Sequence, residues 1–243
     1  MRKFLIVVIL LLVTSPSVSQ DHNWDLPMDP PPKVTDPKEI KKLPPPPENL
    51  PAPKEPIKFA GSPLGGTNIV FVIDLSGSMM VPAGSMINEN GDVIQGTRID
   101  RAKIELIKSI IALDSSYKFN IITFTCTMGR LSHELMQATP QNKTHAIAFV
   151  RGMYASGGTG TGPAVALALS DKNVHSVALL TDGWPSCLGS SDTFALHRQL
   201  IMTANTQKAS VNVFGIGAAA YQQGLDFCRG IANDNGGFFQ ELR

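Results

Sequence analysis

The 243-residue sequence predicts an α/β fold: a doubly wound, mostly parallel central sheet with helices on both faces, preceded by a disordered proline-rich spacer. Two observations carry that expectation. From Thr67 onward, short apolar runs of strand length alternate with segments that are apolar at helical spacing, the pattern of a parallel sheet covered on both sides. Between Gln20 and Pro63 lie most of the chain's 18 prolines, including the run from Pro44 to Pro47, interleaved with Lys, Asp and Glu. Such a composition cannot bury a core and favours an extended, semi-rigid polyproline conformation.

At the start of the chain, Arg2 and Lys3 precede an apolar run from Phe4 to Val13, followed by the small residues Ser17, Val18 and Ser19. The run is about half the roughly 20 residues needed to span a bilayer, so it reads as an export signal with cleavage before Gln20. No later segment is long and apolar enough to span a membrane. The expected organisation is therefore a signal peptide over 1–19, a proline-rich linker over 20–63 and one folded domain over 64–243. The domain's length suits a single hydrophobic core.

Within that domain the parallel strands are expected at Ile69 to Ile73, Phe119 to Phe124, Val174 to Leu180, Val211 to Ile216 and Phe238 to Gln240. Ile99, Ala102, Leu106, Ile110 and Leu113 recur at helical spacing between the first two strands, giving the crossover that a parallel pair requires. Thr97 with Asp100 forms a capping box at its start. Further helices are expected around Ala146 to Val150, Pro163 to Leu169, Phe194 to Thr203 and Leu225 to Ala232, and a short edge strand at Arg130 to Met136.

Composition excludes several functions. A formal net charge of +1 supplies no basic field for nucleic acid. The five histidines are scattered, and neither a Gly-x-Ser-x-Gly elbow nor a His-Glu-x-x-His helix is present, so a hydrolase lacks its groups and the chain reads as non-enzymatic. Cys126, Cys187 and Cys228 are too few for a disulfide framework and too scattered for a zinc site. Gly215-Ile216-Gly217-Ala218-Ala219-Ala220 superficially fits a dinucleotide fingerprint, but it follows a late strand rather than opening a nucleotide-binding unit.

One constellation carries chemistry. Asp74-Leu75-Ser76-Gly77-Ser78 lies where the first strand ends, at the carboxyl edge where ligands bind in open α/β sheets. Alternate residues leaving a strand can aim at one point, and Gly77 allows a tight turn around it. One carboxylate and two hydroxyls make an all-oxygen set, suited to Mg2+ or Mn2+ rather than zinc. Gly157-Gly158-Thr159-Gly160-Thr161 and Leu179-Leu180-Thr181-Asp182-Gly183 fall at the same edge.

In this order and on these elements, the three segments resemble the metal ion-dependent adhesion site of von Willebrand factor type A domains, a Rossmann-like fold, across roughly Thr67 to the C-terminus. The resemblance implies Ser76 and Ser78 as direct hydroxyl ligands, Thr159 as a ligand in the partner-bound state, and Asp74 and Asp182 as ligands acting directly or through water. Thr161 would then cap the following helix. It further implies a protein partner whose Asp or Glu carboxylate completes the ion. The expected function is an exported adhesion or protein-binding module, extracellular, cell-surface or periplasmic; the alternative is a regulatory or assembly subunit of a larger exported complex using the same site.

Two further expectations concern this edge. Cys126 ends the second strand and Cys187 lies in the loop after the third, so a disulfide is expected between them, with Cys228 a buried free thiol. From Val81 to Gly96 an extra stretch follows the serine motif, with Ile87 and Val93-Ile94 flanking Asn90-Gly91. A type I′ hairpin is expected there, rising beside the metal as a specificity loop.

Overall fold

A computed structural model describes residues 56–189 and 193–242. The expected signal segment and the linker as far as residue 55 lie outside the described residues. The described chain opens with a small antiparallel hairpin, β1 (Lys58–Phe59) and β2 (Ser62–Pro63), turned by Ala60 and Gly61 at φ 47° and 87°. Ile57, Phe59 and Leu64 are buried, and the Phe59 ring lies 4.4 Å from Phe214 and 5.9 Å from Phe71. The spacer expected through Pro63 therefore gives way to folded structure by Ile57. Burying one Phe side chain is worth about 1.5–3 kcal/mol, enough to hold a two-strand turn despite its flanking prolines.

Strand β3 (Asn68–Asp74) is buried on both faces after its first residue, which accounts for its continuous apolar run. Next come β4 (Pro82–Ile87) and β5 (Val93–Thr97), the hairpin expected from the sequence. Its turn differs from type I′. Gly91 has φ 91°, Asn90 does not have positive φ, and Gly91 N donates to Asn88 O at 3.2 Å. The Asn88 Oδ1 accepts from the backbone N of both Asn90 and Asp92, each at 2.9 Å, so a side-chain-braced three-residue loop with one left-handed glycine replaces two positive-φ positions. Nor does the hairpin rise from the edge. It lies along α1 (Arg98–Ala112): Arg101 Nη2 donates to Ala83 O and Ser85 O, and Lys108 Nζ donates to Ile87 O at 2.8 Å. Burial of Met86 and an Arg151–Glu89 ion pair fix it there.

The capping box of α1 is present, with Thr97 N and Oγ1 donating to Asp100 Oδ2 at 2.8 and 2.7 Å. After β6 (Lys118–Phe124), two short strands, β7 (Met128–Arg130) and β8 (Met136–Gln137), each pair antiparallel with β6 and flank the segment expected to be one edge strand. Helices α2 (Pro140–Arg151) and α3 (Thr161–Ala168) lead to β9 (Ser176–Thr181); then follow α4 (Thr193–Ala204), β10 (Ser210–Ile216), α5 (Gln222–Asp234) and β11 (Phe239–Leu242).

The main sheet runs β11-β10-β9-β3-β6-β7, with β8 also on β6. All its pairings from β11 to β6 are parallel, as expected. Alternate residues of β3 feed two cores: Ile69, Phe71 and Ile73 pack with Ile99, Leu106 and Ile110 of α1 and Val150 of α2, while Val70 and Val72 pack with Val165 of α3, Ile201 of α4 and Ile231 of α5. Helices thus cover both faces, and β3, the central strand of the path, delivers Asp74 to the carboxyl edge. Among the described residues, no helix is long and apolar enough to cross a membrane.

Candidate metal centre

Asp74, the last residue of β3, is fully buried, and both its oxygens are used. Oδ1 accepts from Ser76 N at 2.8 Å, and Oδ2 accepts from Thr181 Oγ1 at 2.7 Å. Ser76 is also buried, and its hydroxyl lies 3.1 Å from that of Ser78. Burial pushes the Asp74 carboxyl up to about 7, with the neighbouring Asp182 charge adding to the effect and the hydrogen bonds from Ser76 and Thr181 opposing it.

The three segments singled out in the sequence are tied to one another through backbone and side chain. Gly77 N donates to Gly157 O at 2.9 Å, and Ser156 N donates to Leu75 O, joining the first segment to the second. Thr159 N donates to Ser186 Oγ at 3.0 Å, and Ser186 N returns to Thr159 O at 2.9 Å, joining the second to the loop after the third. Thr181 closes the circle through Asp74, and its Oγ1 accepts from Gly183 N at 3.1 Å.

The expected disulfide lies beneath this arrangement. Cys126 and Cys187 are bonded, with Cα atoms 5.3 Å apart, so the loop after β9 reaches across β3 to the end of β6. A Cβ on Gly158 would sit 2.7 Å from Cys126 Sγ, so only glycine lets the Thr159 loop rest on the bridge. Cys228 is a buried free thiol, as expected, and burial pushes its pKa up.

Asp182 is buried and divides its oxygens. Oδ2 pairs with Arg98 Nη1 at 2.9 Å, while Oδ1 has no hydrogen-bond partner among the described residues. Thr159 is buried, and Ser78, Thr159 and Asp182 line one pocket together with Arg98. All five residues singled out from the sequence therefore belong to one edge: Ser78, Thr159 and Asp182 in the pocket wall, Asp74 and Ser76 buried in its supporting network. Thr161 departs from expectation. It is the first residue of α3, after Gly160, and its buried hydroxyl caps nothing.

Sequence reasoning missed Thr181, Arg98 and Ser186. Thr181 stands directly before Asp182 at a strand end, a position whose side chain was open to the same argument as Asp74. Arg98 and Ser186 carry no local signal, because their partners lie 84 and 27 residues away.

A doubly wound sheet with three interlocked loops at its carboxyl edge defines a Rossmann-like α/β binding domain. The chain belongs to the von Willebrand factor type A domain family, whose profile residues 68–241 match. It is 30% identical over 192 residues to inter alpha-trypsin inhibitor, heavy chain 4, of Mus musculus, covering 74% of this chain and 18% of that protein. Inter-alpha-trypsin inhibitor heavy chain H4 of Homo sapiens is 27% identical over 187 residues, covering 72% and 18%. The chain thus spans less than a fifth of the length of these relatives. The same fold occurs in a von Willebrand factor type A structure from Catenulispora acidiphila, at TM-score 0.55 and 22% identity over 75% of this chain and 39% of that one. It also occurs in the vWF domain of the type V pili tip protein Mfa5 from Porphyromonas gingivalis, at TM-score 0.52 and 10% identity over 72% and 89%.

Proposed function

We propose that this chain is an exported, non-enzymatic protein-binding module that holds Mg2+ or Mn2+ through Ser76 and Ser78, with Asp74, Thr159 and Asp182 supporting the ion directly or through water. Domains of the family mediate protein–protein interaction. The observation that carries the metal reading is the donor set itself: paired serine hydroxyls 3.1 Å apart, beside a buried carboxylate oxygen of Asp182 that no hydrogen bond satisfies among the described residues. A buried carboxylate oxygen left without a hydrogen bond is costly even when its fellow oxygen is paired, and an all-oxygen group of this kind suits a hard cation. When bound, the cation would supply a coordination position that attracts a carboxylate from a partner.

The protein's own residues set the charge of that site. Arg98 already neutralises Asp182, so of the site's two carboxylates Asp74 is the one with no cationic partner among the described residues, and the hydroxyls contribute oxygen without charge. A divalent ion held by such a set stays under-neutralised and favours an Asp or Glu from outside. Thr181 and Ser76 N orient Asp74, and Ser186 with the Cys126–Cys187 bridge positions Thr159.

The test is an interaction pull-down from native extracellular material using the full chain in Mg2+, in EDTA, and with Asp74→Ala. Partners retained in Mg2+ and lost in the other two arms support the reading. Partners captured equally in all three arms contradict it.

A further inference from the structure

The pocket beside Ser78 has a volume of about 670 Å³ and a lining of two kinds: Ser78, Thr159, Asp182 and Arg98 are polar, whereas Val81, Trp184 and Tyr221 are apolar. Cavities of roughly 300–1,000 Å³ accept whole small ligands, so the space exceeds what a single carboxylate fills. Trp184 follows Asp182 by two residues and is 44% exposed; Tyr221, immediately before α5, is 66% exposed. Their rings meet edge to face at 5.7 Å.

This pair is anchored. Trp184 also meets Phe194 edge to face at 5.4 Å, and Phe194 meets the buried Phe227 at 5.3 Å, so an aromatic ladder runs from the core to the pocket. Gly183, at φ 85°, brings the Asp182–Trp184 turn against α5, where an added Cβ would sit 2.8 Å from Gly224 O. The same close approach holds Trp184 next to Tyr221. Rings ordered before binding lose little conformational freedom on docking, and Trp and Tyr are the residue types that dominate interface energetics. Arg98 lines the same wall with its charge already paired to Asp182, so attraction of an acidic visitor falls to the metal position beside Ser78.

We propose that the partner presents an exposed segment with an aromatic side chain within a few residues of its acidic one, the ring packing on Trp184 and Tyr221 while the carboxylate enters between Ser78 and Thr159. The inference rests on the metal-dependent reading above and names the chemistry of the partner. The aromatic contact supplies affinity and choice of partner; the acidic contact supplies metal dependence.

The experiment pans the full chain against a displayed library of short peptides carrying one fixed glutamate and random flanks, in Mg2+ and in EDTA, with calorimetric Mg2+ titration alongside. The expected result is that Mg2+-dependent binders are enriched in Phe, Tyr or Trp near the glutamate. They should bind Trp184→Ala/Tyr221→Ala at least about ten-fold more weakly, while Mg2+ affinity is unchanged. Tyr221→Ala alone, at a largely solvated position, should show part of the loss and guards against misfolding of the double variant. Binders without aromatic enrichment, undiminished affinity in the variants, or no Mg2+-dependent binders despite Mg2+ heat would overturn this inference and leave the metal reading standing. Absence of Mg2+ heat in the unaltered chain would overturn both.

Discussion

Replacing Asp74 by Asn should change how the metal-free domain responds to pH. Burial raises the Asp74 carboxyl from its ordinary 3.8 to about 7, so between these values the folded chain binds a proton that the unfolded chain has released. Stability from this group is complete below pH 3.8 and is lost as pH rises through about 7. The gap is roughly three pH units at about 1.36 kcal/mol each, a loss of at most on the order of 4 kcal/mol, shared with the repulsion from Asp182. His197, buried and with its pKa lowered from 6.5, contributes the opposite slope below that value. The informative quantity is therefore the difference between wild type and Asp74→Asn. Urea unfolding in EDTA should show wild type losing stability relative to Asp74→Asn between about pH 5 and pH 8. Mg2+, competing with the proton, should stabilise wild type more at pH 8 than at pH 5 and leave Asp74→Asn unmoved. Parallel pH profiles for the two proteins in EDTA would refute the reasoning.

Phe59→Ala should lower unfolding free energy by about 3–5 kcal/mol, the usual cost of emptying a buried aromatic site, and a change below about 1 kcal/mol in a urea melt would place the first hairpin outside the core. Cys126→Ser/Cys187→Ser opens a bridge between residues 61 apart and should cost about 4 kcal/mol on the chain-entropy account, read by the same melt; an unchanged midpoint would contradict it. Ile87→Ser/Val93→Ser, at the exposed tip of the second hairpin, should leave Mg2+-dependent partner capture unchanged. That tip lies against Lys108, ten residues or about 15 Å along α1 from the Arg98 that lines the pocket, and weakened capture would restore the hairpin as a specificity element.

What could be read from the sequence followed burial. Strands β3, β6, β9 and β10 are covered on both faces, so their runs were mainly apolar, broken in β6 by Asn120 and Thr123 and in β10 by Asn212, and their limits shifted by only one or two residues. The edge segment after β6 was misplaced because β7 is exposed and β8 is two residues long, leaving no alternation to detect. Phe59 was hidden by prolines, which mask a single buried aromatic in any compositional reading. The Asn90-Gly91 pair signalled a hairpin correctly but not its turn type, since Asn88 offered its side chain to two backbone N–H groups instead. Asp74, Ser76 and Ser78 were legible because one short loop carries them. Arg98, Ser186 and the Trp184–Tyr221 pair acquire their roles only when distant loops meet, which no local pattern encodes.

The central claim is that Ser76 and Ser78 hold a divalent ion, and titration calorimetry of Mn2+ into the full chain tests it most directly. The account predicts one Mn2+ per chain for wild type and loss of that binding in a folded Ser76→Ala/Ser78→Ala variant. Equal Mn2+ affinity in the two proteins would contradict it.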